Sequence, residues 1–290
     1  MKKIAEFEAH SNYVLGLQFT RDSRALISAG MDGVVKVWSA PGWERLATFA
    51  GHANSVNAFA LSPDERTLAT GSTDRTVKLW SFPGGSVQRS LQDRKKVVAA
   101  VQISADGQWV AAASYGGRVM VWTLAGKPVV GIKAAPKNLS SVAFSPDGKI
   151  LATSGLGDNI TLWSLPGGQP AGVLSGHQTA VGSLTFIDGG RMLVSLGYEQ
   201  QINVWDAKSW RLARTIPLDP PGARGLAFSP DEQTIALSLP GRVELRSVAD
   251  WSLQAELPAG TKVVNGMAFS AGGRRLALGA ADRKIKIWER

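Results

Sequence analysis

Cysteine is absent from the 290 residues, which excludes disulfides, thiolate nucleophiles and cysteine-ligated metal sites. Histidine is almost absent, with three copies. No apolar run approaches the length of a membrane span. The opening Met1-Lys2-Lys3-Ile4-Ala5-Glu6-Phe7-Glu8 has two lysines and no apolar stretch behind them, so it does not read as a signal peptide, and a cytoplasmic location is the default expectation. No segment carries a convincing helical period. No Gly-rich phosphate loop of either standard spacing occurs, and Gly84-Gly85 and Gly167-Gly168 follow proline and read as connectors between strands. Acid is in short supply: 23 Asp and Glu against 32 Lys and Arg leave +9 and a pI near 9.9, which suits an acidic partner and equally suits a charge kept for solubility.

What is present is repetition. The stretch Gly51–Trp80 opens with Gly-His, passes through Ser62-Pro63-Asp64 and places Asp74 six residues before Trp80. Its terminal Trp recurs at Trp38, Trp80, Trp122, Trp163, Trp205 and Trp288, with Arg246 in the remaining slot, at spacings of 41 or 42 residues. A fixed period near forty identifies a repeat architecture, and one domain over residues 1–290 is expected. Each copy holds short β-patterned runs, such as Val56–Leu61, Thr67–Thr70 and Thr76–Trp80, separated by tight-turn chemistry, with a fourth run before the next copy begins. Four short antiparallel strands per period describe a propeller blade. The last copy stops at Trp288 without a fourth run, and Lys2–Phe7 precedes the first His where such a run would stand, so Lys2–Phe7 is expected to complete the seventh blade. The column Gly16, Ala58, Ala100, Ser141, Ser183, Gly225 and Gly266 is uniformly small, as convergence of first strands requires.

Gly-His, Ser or Thr, Asp and Trp at this period resemble the WD-repeat β-propeller family over the whole chain. The terminal dipeptide is Trp-Asp only at Trp205-Asp206. The resemblance implies an all-β, seven-bladed β-propeller with four antiparallel strands per blade, monomeric and without cofactor. It also implies hydrogen-bonded tetrads: His10–Ser28–Asp32–Trp38, His52–Thr70–Asp74–Trp80, and a variant with a longer acid, His177–Ser195–Glu199–Trp205. These contain the ingredients of a Ser-His-Asp triad, yet all three histidines fall at one repeat position in different blades, which suits neither a single active site nor a shared metal. The recurring Asp22, Asp64, Asp106, Asp147 and Asp231 are turn formers. No enzyme is indicated.

Function in a repeat protein lies where copies depart from one another. Loops entering the first, second and fifth blades carry His; those entering the others carry Arg94-Lys95-Lys96, Lys133 with Lys137, Arg224, and Lys262. The family's topology implies that these loops share a face with hairpins bearing Arg75, Arg118, Arg242, Arg283 and Lys284, and with Tyr13, Tyr115 and Tyr198. The expectation is a non-catalytic scaffold presenting a basic, tyrosine-containing face to an acidic protein or peptide; the alternative is backbone-directed nucleic-acid binding through the same cations. Trp43, Trp210 and Trp251 recur five residues after the repeat position, at the start of the outer strand, and are expected to cap the blade edge.

Overall fold

A computed structural model describes residues 1–92, 96–218, 222–260 and 263–290. The chain forms seven four-stranded antiparallel sheets, the strand and sheet count of the seven-bladed β-propeller class. The single helical turn among the described residues is a 3-10 turn at Asp188–Gly190. Blade 1 runs through Val14–Phe19, Ala25–Gly30, Val34–Ser39 and Arg45–Ala50. The sheets beginning at Val56, Val98, Leu139, Val181 and Gly225 are blades 2 to 6. Blade 7 takes three strands from the end of the chain, Val264–Phe269, Arg275–Ala280 and Lys284–Glu289, and its fourth from the beginning, Lys2–Glu8. That fourth strand pairs antiparallel with Lys284–Glu289, from Lys2 opposite Glu289 to Glu8 opposite Lys284.

Two compact units emerge: Met1–Val56 with Pro220–Arg290, and Asn57–Asp219. In each, the second and third strands are the buried ones. Ala25–Gly30, Thr67–Ser72 and Trp109–Ser114 all open half-buried and continue fully buried, whereas fourth strands such as Val87–Gln92 stay exposed but for one Leu. The cores lie between neighbouring sheets. In the first unit Val14, Leu17 and Leu26 of blade 1 pack with Ala277, Ile285 and Ile287 of blade 7, and Phe7 and Trp43 close that cluster from outside. In the second unit comparable clusters join blades 2 and 3, 3 and 4, and 4 and 5.

The small column has a direct cause where blades 7 and 1 meet. A Cβ on Gly266 would lie 3.0 Å from the Cα of Gly16, so first strands approach to backbone contact there. Polar latches on the same strands tie blades together. Asn57 Nδ2 donates to the Val98 carbonyl at 2.8 Å, Ser140 Oγ to that of Val181 at 2.7 Å, and Asn265 Nδ2 to that of Val14 at 3.1 Å. The three donors share one repeat position, and nothing in their sequence neighbourhood marks them, because each partner lies in another blade. Trp43, Trp210 and Trp251 differ from expectation: they sit in left-handed turns ahead of the outer strand rather than within it. From there Trp43 stacks on Phe7 at 6.2 Å and Trp210 meets Phe186 edge-on at 6.4 Å.

Candidate interaction site

The histidine-bearing blades are built from the inside out. In blade 1 the Trp38 indole N–H donates to Ser28 Oγ at 2.8 Å, Ser28 Oγ lies 2.8 Å from His10 Nε2, and His10 Nδ1 lies 2.9 Å from Asp32. An imidazole facing a carboxylate through Nδ1 carries its proton there, leaving Nε2 to accept the Ser28 hydroxyl. Burial lowers the His10 pKa below its ordinary value, against the raising pull of Asp32, so the ring is neutral. Burial would raise Asp32, but the His10 ring and the backbone N–H of Ser11 outweigh it and hold the carboxyl below its usual value.

Blade 5 builds the same chain with a longer acid. Trp205 donates to Ser195 Oγ at 2.8 Å, Ser195 Oγ lies 2.7 Å from His177 Nε2, and His177 Nδ1 bonds Glu199, which also accepts from Thr179 Oγ1. Gly197 offers no side chain against the Glu199 carboxylate, as Gly30 offers none against Asp32 in blade 1. In blade 2 Trp80 donates to Thr70 Oγ1 at 2.8 Å, His52 is half-buried, and Asp74 accepts from Thr76. The hydroxyl residues Ser28, Thr70 and Ser195 have no exposed surface, and each hydroxyl oxygen already accepts an indole N–H. They cannot reach a substrate, so the triad-like connectivity serves the fold.

The blades without histidine solve the same burial problem in other ways. Blade 4 keeps Thr153, which takes the Trp163 N–H at 2.9 Å. Blade 7 keeps the acid: Lys286, two residues before Trp288, reaches Asp282 at 2.9 Å and the Ala259 carbonyl at 2.8 Å. With Leu278 in the hydroxyl slot, the Trp288 indole N–H is buried with no hydrogen-bond partner among the described residues. In blade 6 Arg246 stands in the Trp slot, and with Arg242 it clamps the buried carboxylate of Glu244 at 2.8 to 3.0 Å.

In blades 1, 3, 4, 5 and 7 the entering loop and the hairpin after the second strand meet at one edge of the sheet. The residue just past the second strand donates its N–H to the residue just before the first: Met31 to Tyr13, Tyr115 to Val97, Leu156 to Asn138, Tyr198 to Ala180 and Ala281 to Val263, at 2.8 to 2.9 Å. Of the cations expected there, Arg94, Lys95 and Lys262 lie outside the described residues. Lys96 and Lys137 are exposed in the second unit and Arg224 in the first.

Several others are engaged, two of them, Arg242 and Lys284, with carboxylates that offset their charge. Arg242 is held by Glu244 and Glu256, Lys284 pairs with Glu6 at 3.1 Å, Lys133 donates to the Gly116 carbonyl, and the Arg118 guanidinium folds onto Met120. The loop sequences do not reveal these partners, because most belong to neighbouring strands rather than to the loops themselves.

In the second unit the edge of blades 3 and 4 is stitched tightly. The Lys96 stem runs along Gly116, whose N–H donates to Asn138 Oδ1 at 2.8 Å. Gly117, at a positive φ of 78°, lets the Ala135 carbonyl approach where a Cβ would collide. Beside these cations Tyr115, Leu156 and Tyr198 occupy the same slot in three successive blades and are 44%, 50% and 51% exposed. Leu156 is not conspicuous in the sequence, where the rare tyrosines alone mark this slot. Tyr13, at 45%, is exposed in the first unit.

The family described as the IFT122 first beta-propeller matches residues 2–216, and the WD domain, G-beta repeat, matches residues 251–289. The chain belongs to the WD-repeat β-propeller family. It is 29% identical over 113 residues to the WD repeat-containing protein SL1-17 of Schistosoma mansoni, covering 39% of this chain and 38% of that protein. It is 30% identical over 103 residues to the target of rapamycin complex subunit wat1 of Schizosaccharomyces pombe, covering 34% of this chain and 32% of that protein. The matched segments thus span about a third of each relative. WD-repeat propellers are in general non-catalytic platforms for protein interaction. Among the described residues no helix is long and apolar enough to cross a membrane, and no cluster of three or more metal-ligating side chains forms.

Proposed function

We propose that the chain is a protein-interaction scaffold that holds an acidic peptide segment with apolar side chains along the edge of blades 3 to 5. The observation that carries this reading is the arc of Tyr115, Leu156 and Tyr198, each about half exposed at an equivalent position, with Lys96 and Lys137 beside it. Neither lysine pairs with a carboxylate among the described residues. Aromatic anchors supply buried area at low entropic cost, and unpaired lysines at their rim steer an acidic partner and set register. Arg94 and Lys95, which precede Lys96 in the sequence, are further candidates in the second unit, and Arg224, Lys262 and Tyr13 are candidates in the first.

The test is affinity capture from the native host with three proteins: the natural chain, a Lys96→Glu/Lys137→Glu variant and a Tyr115→Ala/Tyr198→Ala variant. Both variants should lose the same partner while Tm stays within about 2 °C, as exposed substitutions do. A partner retained by both sinks the proposal. Nucleic-acid binding through the same lysines is the competing outcome. It would appear as affinity for DNA or RNA that falls by orders of magnitude between about 50 and 200 mM salt and that the lysine reversal removes.

A further inference from the structure

The turn between the first and second strands repeats one device. In blades 1, 2, 3, 4 and 6 a hydroxyl donates to the carboxylate two residues on: Thr20 to Asp22, Ser62 to Asp64, Ser104 to Asp106, Ser145 to Asp147 and Ser229 to Asp231, at 2.5 to 2.7 Å. The same Oδ1 accepts the backbone N–H two residues further, from Arg24, Arg66, Gln108, Lys149 and Gln233, at 2.9 to 3.1 Å. One carboxylate oxygen therefore satisfies two donors in each of these turns.

Blade 7 keeps the hydroxyl and lacks the acid. Ser270 is 3% exposed, and its Oγ accepts the Arg275 N–H at 3.0 Å, as Ser62 accepts that of Thr67 at 2.9 Å. Gly273 holds a φ of 67°, close to the 71° of Gly107 and 70° of Gly148 at the same step. The backbone is therefore that of the other blades, but Gly272 stands where they have Asp. Neither the Ser270 hydroxyl hydrogen nor the Arg274 backbone N–H meets an acceptor among the described residues.

A Cβ on Gly272 would have nothing within 4 Å. That space opens into a pocket of about 300 Å³ lined by Ser23, Ser270, Gly272, Arg274, Arg275 and Glu289. Arg274 is exposed and has no carboxylate partner among the described residues. Arg275 bonds Glu289 through Nε at 3.0 Å, which neutralises that acid, and its guanidinium lies over the Trp43 ring at 5.9 Å.

We propose that the blade 7 turn is an oxyanion site, where a carboxylate or phosphate oxygen of a ligand takes the part the aspartate oxygen plays elsewhere. It receives the Ser270 O–H and the Arg274 N–H, and the Arg274 guanidinium supplies the opposing charge. A backbone N–H and a hydroxyl left without acceptors, with an arginine lining the same pocket, supply a charge-assisted cradle for an oxygen anion. The site stands on residues and an edge of the sheet that the rim of blades 3 to 5 does not use, so either reading can fail without the other.

The experiment titrates the chain with sodium acetate and with sodium phosphate, each against sodium chloride at matched ionic strength, following Tm and the Arg274 backbone amide resonance. Wild type should show a saturable rise in Tm and a shifted Arg274 amide with at least one oxyanion; whichever acts distinguishes carboxylate from phosphate. Gly272→Asp supplies the carboxylate internally: basal Tm should rise by about 2 °C and the oxyanion response should vanish. Arg274→Gln leaves the turn intact and should raise the half-saturating concentration about tenfold. Oxyanions no better than chloride, or a Gly272→Asp variant that still responds as wild type, overturn the proposal. Should Gly272→Asp fail to fold, an unchanged half-saturating concentration in Arg274→Gln overturns it equally.

Discussion

Ser28 sits with no exposed surface between the Trp38 indole and the His10 ring, so one hydroxyl serves two buried groups. Removing it in Ser28→Ala takes the partner from the Trp38 indole N–H and from His10 Nε2, and should cost about 1–3 kcal/mol in urea denaturation. Trp288 is the internal control. Its indole N–H has no partner among the described residues, so Trp288→Phe should lose less stability than Trp38→Phe; equal losses would mean that the indole bond contributes nothing net. The neutral imidazole also sets a pH dependence. His10 in the folded chain titrates below its ordinary 6.5, so the unfolded chain takes up a proton that the folded chain refuses. Stability from this group is complete above 6.5 and declines as pH falls below it, and Asp32 adds a further decline below 3.8. Urea midpoints at about pH 7.5 and about pH 5 should differ less in His10→Gln than in wild type.

Among the elements, the strand Lys2–Glu8 has the most to lose. It gives blade 7 its fourth strand, covers Lys284–Glu289, and sends Phe7 to within 4.9 Å of the Trp38 ring and 6.2 Å of Trp43. Deleting Met1–Glu8 should lower Tm far more than an ordinary terminal trim, because an open sheet edge and a cluster face are exposed together. An unchanged Tm would contradict the pairing. Phe7→Ala should cost about 2–3 kcal/mol, below a fully buried Phe because Phe7 keeps partial exposure. The Glu6 carboxyl is drawn down to about 2 by the side-chain bonds from Lys3 and Lys284, but the group is exposed and its pairs contribute little to stability.

At the scale of the molecule, net charge and its placement are separable. Cation-exchange retention tests the placement directly. Reversing Lys96 and Lys137 changes net charge as much as reversing Lys127 and Lys149, exposed lysines at the opposite ends of their strands. If the edge of blades 3 to 5 concentrates positive field, the first pair should elute earlier than the second. Coincident elution would remove the basic surface from the proposed function.

Much of this architecture is legible in the residues themselves. The period of the Trp column determines seven copies, turn chemistry determines antiparallel strands, and the spare run at Lys2–Phe7 implies its place beside Lys284–Glu289. These are local properties, written in residues a few positions apart and repeated seven times. The small column is legible for the same reason, and Gly16 against Gly266 supplies its cause.

Which side chains are already engaged is not written locally. Lys284 counts as a free cation until Glu6, 278 residues away, is placed beside it, and the second carboxylate on Arg242, Glu256, comes from the fourth strand. Asn265 is an unremarkable polar residue until the Val14 carbonyl, 251 positions earlier, meets it. The absence of an acid at Gly272 is visible in the sequence, but it takes the folded chain to leave Ser270 buried with its hydrogen uncommitted and two arginines over the space. The cause is common to all four: hydrogen bonds and ion pairs depend on distances of about 3 Å, which packing alone decides.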